Sequence, residues 1–200
     1  AIGIAAWAAT GNPTRFLVFV LLVLMPGTAA AADRASTAHD FTFTSIEGDP
    51  LPLSSFAGKV VLLVNTASRC GFTPQYADLQ AVWSRYRALG LVVLGVPSND
   101  FGGQEPGSEA EIKQFCEVHF DVDFPLTAKE HVVGEAAHPV YRWAQVVLGD
   151  AAKPRWNFHK YLIGPGGHLV GWFGTTTRPT SPEVIDAIEK QLAKLPQPAG

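Results

Sequence analysis

Two kinds of apolar pattern alternate along the chain from about residue 40 onward. The runs Val60-Val61-Leu62-Leu63-Val64 and Leu91 to Val96 are continuous and mostly β-branched, which suits strands buried on both faces of a sheet. Between them, Tyr76, Leu79, Trp83 and Tyr86 recur at helical spacing behind Thr73-Pro74, a pair that supplies an N-cap and a first-turn proline. A strand-helix-strand unit follows, and with it an α/β sheet. Ahead of this unit, Phe41 to Thr44 and Leu51 to Leu53 bracket Glu47-Gly48-Asp49-Pro50 and predict a small hairpin. Behind it, Ser108-Glu109-Ala110-Glu111 carries the Ser and Glu of a capping box, so a helix should run from Glu109 towards His119 with Ile112, Phe115 and Cys116 near one face. A Pro- and Gly-bearing middle region comes next. Tyr161 to Ile163, the turn Gly164-Pro165-Gly166-Gly167 and His168 to Phe173 then predict a second hairpin, and Ser181-Pro182-Glu183 opens a last helix with Ile185, Ile188 and Leu192 as its stripe. The expected order is ββαβαββα or close to it, with no internal repeat.

The N-terminal segment has a different character. Arg15 precedes the apolar run Phe16 to Met25, then Pro26-Gly27, then Ala29 to Ala32 before Asp33, which is the order of an export signal. An uncleaved membrane anchor is the alternative, but ten strongly apolar residues are short for a span of roughly 20. Residues 1–32 are therefore expected to be an export signal or N-terminal hydrophobic segment, and 33–200 a single domain. The expected location is periplasmic or secreted, with membrane contact only if the signal stays in place. A length of 200 residues, 47% hydrophobic and 16% charged, fits one domain with a sizeable core. Net charge is −3, and no run of Lys or Arg forms the basic stripe that nucleic-acid binding requires.

Only two cysteines occur, Cys70 and Cys116, and in an exported protein a structural disulfide between them is the ordinary explanation. A reactive reading competes with it. Cys70 falls in the polar loop Asn65 to Gly71, just ahead of an expected helix N-terminus, where unpaired N–H groups stabilise a thiolate, and Arg69 stands beside it. In an open α/β sheet, loops at the carboxyl ends of strands gather at one edge, which would bring Gln104 of the loop Ser98 to Gly107 towards Cys70. Gln104, Trp156 and Asn157 offer neutral N–H donors suited to a thiolate and a departing peroxide oxygen. Taken singly they have ordinary readings: a solvated loop residue, a core tryptophan and a turn former. No Cys-x-x-Cys pair exists, and no four zinc ligands lie at short spacing. The histidines, His39, His119, His131, His138, His159 and His168, form no close ligand pair and read as surface or turn residues. No cofactor or metal is expected.

Three stretches taken together resemble the signatures of glutathione peroxidases: Asn65-Thr66-Ala67-Ser68-Arg69-Cys70-Gly71-Phe72-Thr73, the loop Asn99 to Gly107, and Trp156-Asn157-Phe158. The resemblance spans roughly Asp40 to Leu192 and includes Thr175-Thr176. It implies a thioredoxin-like α/β fold, a central mixed sheet flanked by helices, and a catalytic set of Cys70, Gln104, Trp156 and Asn157. With cysteine rather than selenocysteine at position 70, the chain resembles the cysteine branch. Many of that branch have another Cys where Ser98 stands, but the resolving thiol of two-cysteine members lies in the following helix, where Cys116 sits. Tetrameric animal forms carry a longer segment ahead of the Trp-Asn motif than Gly149 to Arg155 provides, which implies a monomer or dimer without a dedicated glutathione site. Peroxiredoxins are set aside because the Pro and Thr ahead of their nucleophile are missing from Asn65 to Arg69. The resemblance implies reduction of hydrogen peroxide and organic or lipid hydroperoxides at an exposed Cys70, through a sulfenic acid and a Cys70–Cys116 disulfide. A thioredoxin-like protein or glutathione would be the reductant. The non-enzymatic alternative is an exported thioredoxin-like binding module with a permanent Cys70–Cys116 bridge.

Overall fold

The computed structural model describes residues 37–196; the expected export segment lies outside the described residues. Thr42–Thr44 (β1) and Pro50–Pro52 (β2) pair antiparallel with Phe43 opposite Leu51, forming a separate two-stranded sheet where the alternation predicts a hairpin. Val60–Thr66 (β3) and Leu91–Pro97 (β4) pair in parallel, and Lys160–Ile163 (β5) and Leu169–Phe173 (β6) extend the main sheet antiparallel in the order β4-β3-β5-β6. The sheet is mixed, as expected.

Alternation along the buried strands divides the core into two layers, because successive side chains leave a strand on opposite faces. Val60, Leu62 and Val64 pack with Tyr76, Leu79 and Val82 of Gln75–Tyr86 (α1). Ile112 and Cys116 of Glu109–Phe120 (α2) join the same layer. Val61 and Leu63 face the other way, onto Val140, Tyr141, Trp143 and Ala144 of Pro139–Leu148 (α3) and onto Phe43 of the hairpin. Pro182–Leu192 (α4) returns to the first layer through Val184, Ile188 and Leu192. Its buried stripe thus begins at Val184, with Ile185 only partly buried.

The observed order is βββαβααββα, one strand and one helix more than expected: all three N-terminal strands precede the first helix, and the middle region holds a helix, α3, that the sequence pattern does not announce. Its start is marked by Pro139 in the first turn and by His138, whose Nδ1 accepts from Val140 N at 3.4 Å. Histidine is not among the usual capping residues, which hides the boundary. The capping box of α2 forms as predicted: Ser108 Oγ accepts from Glu111 N at 3.4 Å while Glu111 accepts from Ser108 N at 2.8 Å. The N-cap expected at Thr73 does not form. The helix begins two residues later behind Pro74, and Thr73 turns its hydroxyl back to the Cys70 loop.

At the centre of β4, Gly95 sits under Leu126 and Phe124, where a Cβ would come within 2.6 Å and 3.3 Å of their side chains. Gly95→Ala should therefore cost about 1–3 kcal/mol through overpacking. Urea unfolding that is unchanged by this substitution would contradict the close approach.

Candidate active site

The loop after β3 folds around a single hydroxyl. Thr73 Oγ1 donates to Ala67 O at 2.9 Å and accepts from Cys70 N at 3.0 Å, and Thr73 N closes the turn on Cys70 O at 3.0 Å. This winding points the backbone N–H of Phe72 at Cys70 Sγ, 3.4 Å away. A backbone donor on sulfur favours the anionic form that attacks electrophiles. Cys70 exposes only 8% of its surface, so the sequence expectation of an exposed thiol is corrected: the same turn that supplies the donor tucks the side chain against the core.

The loop after β4 lies directly alongside. Ser98 N donates to Thr66 O at 3.0 Å, Asn99 Oδ1 accepts from Glu105 N at 2.8 Å, and Arg69 N donates to Gln104 O at 3.0 Å. Gly102 and Gly103 take left-handed backbone angles, φ 67° and 64°, and Gly102 lies in van der Waals range of the Gln104 side chain. Such angles are open to glycine at little cost, which explains the Gly-Gly pair ahead of Gln104.

The third segment is clamped by Asn65, which is fully buried at the end of β3. Its Nδ2 donates to Trp156 O at 3.1 Å, its Oδ1 accepts from His159 N at 3.0 Å, and its backbone O accepts from Phe158 N at 2.6 Å. Phe158 adopts φ 61°, an uncommon conformation for a bulky residue, held by these bonds. The twist delivers Asn157 to the loop after β4: its Nδ2 donates to Gln104 Oε1 at 2.8 Å, and its Oδ1 is buried without a partner. Thr175 Oγ1 donates to Asn157 O at 2.7 Å, and Gln75 Nε2 donates to Thr175 O at 2.6 Å, so the start of α1 supports the same residue from behind. Trp156 is 39% exposed with its ring 5.8 Å from Phe101, which removes the core reading of this tryptophan.

The structure thus brings Gln104 and Asn157 together and ties both to the residue next to Cys70, while Trp156 stands at the surface rim. Cys116 is fully buried in α2, and both cysteines are free thiols. Burial pushes the Cys116 thiol up to about 11. A cleft of about 280 Å³ opens beside the Cys70 loop, lined by Gly71, Phe72, Pro74 and Thr176, with the Asp78–Arg178 ion pair at 2.7 and 2.8 Å on its wall.

Two contributors escape a motif reading. Lys160 is fully buried, with its Nζ donating to Gln75 Oε1 at 2.7 Å, Thr177 O at 2.6 Å and Gly174 O at 3.4 Å. It laces β5 to α1 and to the segment that carries Thr175, and burial pulls its pKa down to about 7. His159, expected from sequence at the surface or in a turn, is in fact 3% exposed, stacked on Trp172 at 5.4 Å, and burial lowers its pKa to about 4. Both lie in the stretch after Trp156-Asn157, where the only sequence signal is a basic pair entering a buried strand. Among the described residues no group of three His, Cys, Asp or Glu side chains is arranged to hold a metal ion.

Residues 38–145 match the family described as Glutathione peroxidase. The chain belongs to that family. It is similar to hydroperoxy fatty acid reductase gpx1 of Synechocystis sp., 43% identical over 80% of this chain and 99% of that protein. It is also similar to glutathione peroxidase-like peroxiredoxin HYR1 of Saccharomyces cerevisiae, 41% identical over 73% and 92%. Among solved structures, the apo form of Trgpx aligns with a TM-score of 0.66 at 34% identity, covering 80% of this chain and 98% of that one. A thioredoxin-family protein of Chlorobium tepidum, at 17% identity and a TM-score of 0.56, shares the fold. This glutathione peroxidase is therefore an oxidoreductase of the cysteine-containing branch with a thioredoxin-like fold, a thiol peroxidase that reduces hydroperoxides with a thiol reductant. That activity displaces the binding-module alternative.

Loss of either amide partner should be felt at the thiol. Gln104→Ala and Asn157→Ala are each expected to slow oxidation of Cys70 by roughly 10- to 1000-fold, the scale for removing one preorganised donor. Unchanged second-order rates with hydrogen peroxide in both variants would remove the pair from the site. Folding should also carry the mark of His159. Its pKa is lowered in the fold, so the unfolded chain binds the extra proton first as pH falls from about 6.5 to about 4. Stability contributed by the neutral ring is lost across that window, and His159→Phe should flatten the pH dependence of urea midpoints there. An identical dependence in the variant would assign it to other groups.

Proposed function

We propose that the Cys70 thiolate attacks the terminal oxygen of a hydroperoxide, breaking the O–O bond and leaving a sulfenic acid plus water or an alcohol. The observation that carries this reading is the convergence on one residue: the Phe72 N–H on Cys70 Sγ at 3.4 Å, and the Gln104–Asn157 amide pair linked through Arg69 N to the same loop. Because Gln104 Oε1 is occupied by Asn157, its Nε2 remains available to donate to the departing oxygen. Trp156 at the rim offers its indole N–H from the solvent side. Hydrogen peroxide and organic or lipid hydroperoxides are the substrates.

Cys116 then attacks the sulfenic sulfur and forms a disulfide. Because the thiol starts fully buried inside α2, the helix unwinds locally before the bond can form. A thioredoxin-like dithiol protein reduces the disulfide, with glutathione as the alternative donor. The short segment Gly149 to Arg155 supports a monomer or dimer, and the apolar run Phe16 to Met25 followed by Ala29 to Ala32 supports a periplasmic or secreted enzyme.

Cys70→Ser should abolish peroxide turnover with an unchanged far-UV spectrum. Cys116→Ser should reduce one equivalent of peroxide, show a sulfenic adduct at Cys70 by mass spectrometry, and fail to turn over with a thioredoxin system. Full thioredoxin-linked turnover by the second variant would mean that an external thiol resolves Cys70, and glutathione would then be the donor to test.

A further inference from the structure

A carboxylate that the peroxide step does not use lies between the two thiol-bearing segments. Glu105 is 1% exposed, and its Oε2 is buried without a hydrogen-bond partner. The backbone around it is held on both sides: Asn99 Oδ1 accepts from its N–H at 2.8 Å, and Lys129 Nζ donates to its carbonyl at 3.3 Å and to Gly107 O at 2.6 Å. The carboxylate faces Ser68, two residues before Cys70, and its charge reaches Cys116 and Tyr76 on the other side. Tyr76 in turn faces Thr66 and Cys116. Thr66 Oγ1, Ser68 Oγ and Tyr76 Oη are, like Glu105 Oε2, buried without partners. Four buried oxygens that meet only one another and, through Tyr76, the Cys116 thiol are costly to keep in a core unless they serve a polar purpose. A cleft of about 220 Å³ reaches this group from solvent between the Cys70 loop and α2, lined by Ser68, Arg69, Glu105, Glu111, Ile112 and Phe115.

Resolution needs a proton carrier. Cys116 must lose its proton before its sulfur attacks Cys70, and the hydroxyl leaving Cys70 must gain one. We propose that Glu105 performs both transfers, taking the Cys116 proton as the S–S bond forms and giving it to the oxygen as the S–O bond breaks, so that water leaves and the carboxylate is regenerated. Electrons balance within the pair: the Cys116 sulfur is oxidised and the Cys70 sulfur reduced to the disulfide level. Burial raises the pKa of Glu105 above its ordinary value, with Ser68, Lys129 and Arg69 opposing the shift. The same negative charge adds to burial in holding Cys116 protonated. Protonating Glu105 removes that charge, so the first transfer itself eases formation of the thiolate. The groups that face Glu105 are Ser68, Arg69, Tyr76, Cys116 and Lys129, with Glu111 across the cleft.

This inference depends on Cys116 being the resolving thiol, and the experiment separates the two. Rapid-quench mass spectrometry follows Cys70 oxidation and Cys70–Cys116 disulfide formation as two rates in wild type and Glu105→Gln, from pH 5 to 9. In the wild type the resolving rate should be level at neutral pH and fall on the acid side as Glu105 protonates. In Glu105→Gln it should drop roughly 100-fold relative to the first rate, and rise about tenfold per pH unit because only pre-formed thiolate then reacts. Equal resolving rates in both proteins, or a parallel fall of both steps in the variant, would overturn the role of Glu105. If the variant fails to fold, a wild-type resolving rate that climbs about tenfold per unit across the whole range, or one that stays level on the acid side as well, overturns that role equally, and a rate level at neutral pH that falls on the acid side supports it. Absence of any Cys70–Cys116 disulfide in the wild type would overturn the resolving role of Cys116, and with it the inference.

Discussion

Everything at the candidate site hangs from Asn65. Its side-chain amide and its backbone are both spent on the segment 156–159, with His159 O also accepting from Asn65 N at 3.2 Å. The cost of burying an amide is recovered only when its donors and acceptor are matched, and each such bond contributes on the order of 1 kcal/mol. What the clamp achieves is geometric. β3 delivers Cys70 through its carboxyl-end loop, and the same strand, through Asn65, fixes where Asn157 arrives from a part of the chain more than ninety residues away. The positive φ of Phe158 is the conformational strain of that delivery, retained because the surrounding bonds over-determine it.

From this constraint the rest of the site follows in layers. Gln104 needs no contact with β3 of its own, since its carbonyl is held by Arg69 N and its amide by Asn157. Thr175, Gln75 and Lys160 form a backing whose hydrogen bonds end on backbone carbonyls or on one another, so the amide pair is supported from behind. Such backing is what holds substrate-facing donors to within fractions of an ångström. The two thiols sit on opposite terms in this arrangement. Cys70 is in a wound loop with a donor on its sulfur, whereas Cys116 is a fully buried helical residue held protonated. On the proposed mechanism the first attacks peroxide and the second joins only after its helix opens.

Much of this is legible in the sequence because strong local rules agree. The two buried strands, the capping box at Ser108 and the helical spacing of Tyr76, Leu79 and Tyr86 all state their element unambiguously, and the loops that carry Cys70, Gln104 and Asn157 follow from where those elements end. Helix α3 is not legible because His138 replaces the usual cap. Thr73 misleads for a related reason: a threonine before a proline looks like a cap, yet its hydroxyl is worth more knotting the Cys70 loop. The burial of Cys70 and His159 cannot be seen, since exposure is decided by how separate loops stack and no period in the sequence encodes it. Nor can the cluster of four buried oxygens, which come from β3 and its following loop, α1, and the loop after β4.

On the proposed mechanism these assembled surroundings, and not the thiol alone, drive attack on peroxide. Its most direct test is the second-order rate constant for reduced protein and hydrogen peroxide, measured by stopped-flow at neutral pH and set against free cysteine corrected to its thiolate fraction. The protein thiol should be faster by on the order of 100-fold or more, the contribution of preorganised donors at the departing oxygen. A rate equal to that of the free thiolate would contradict it.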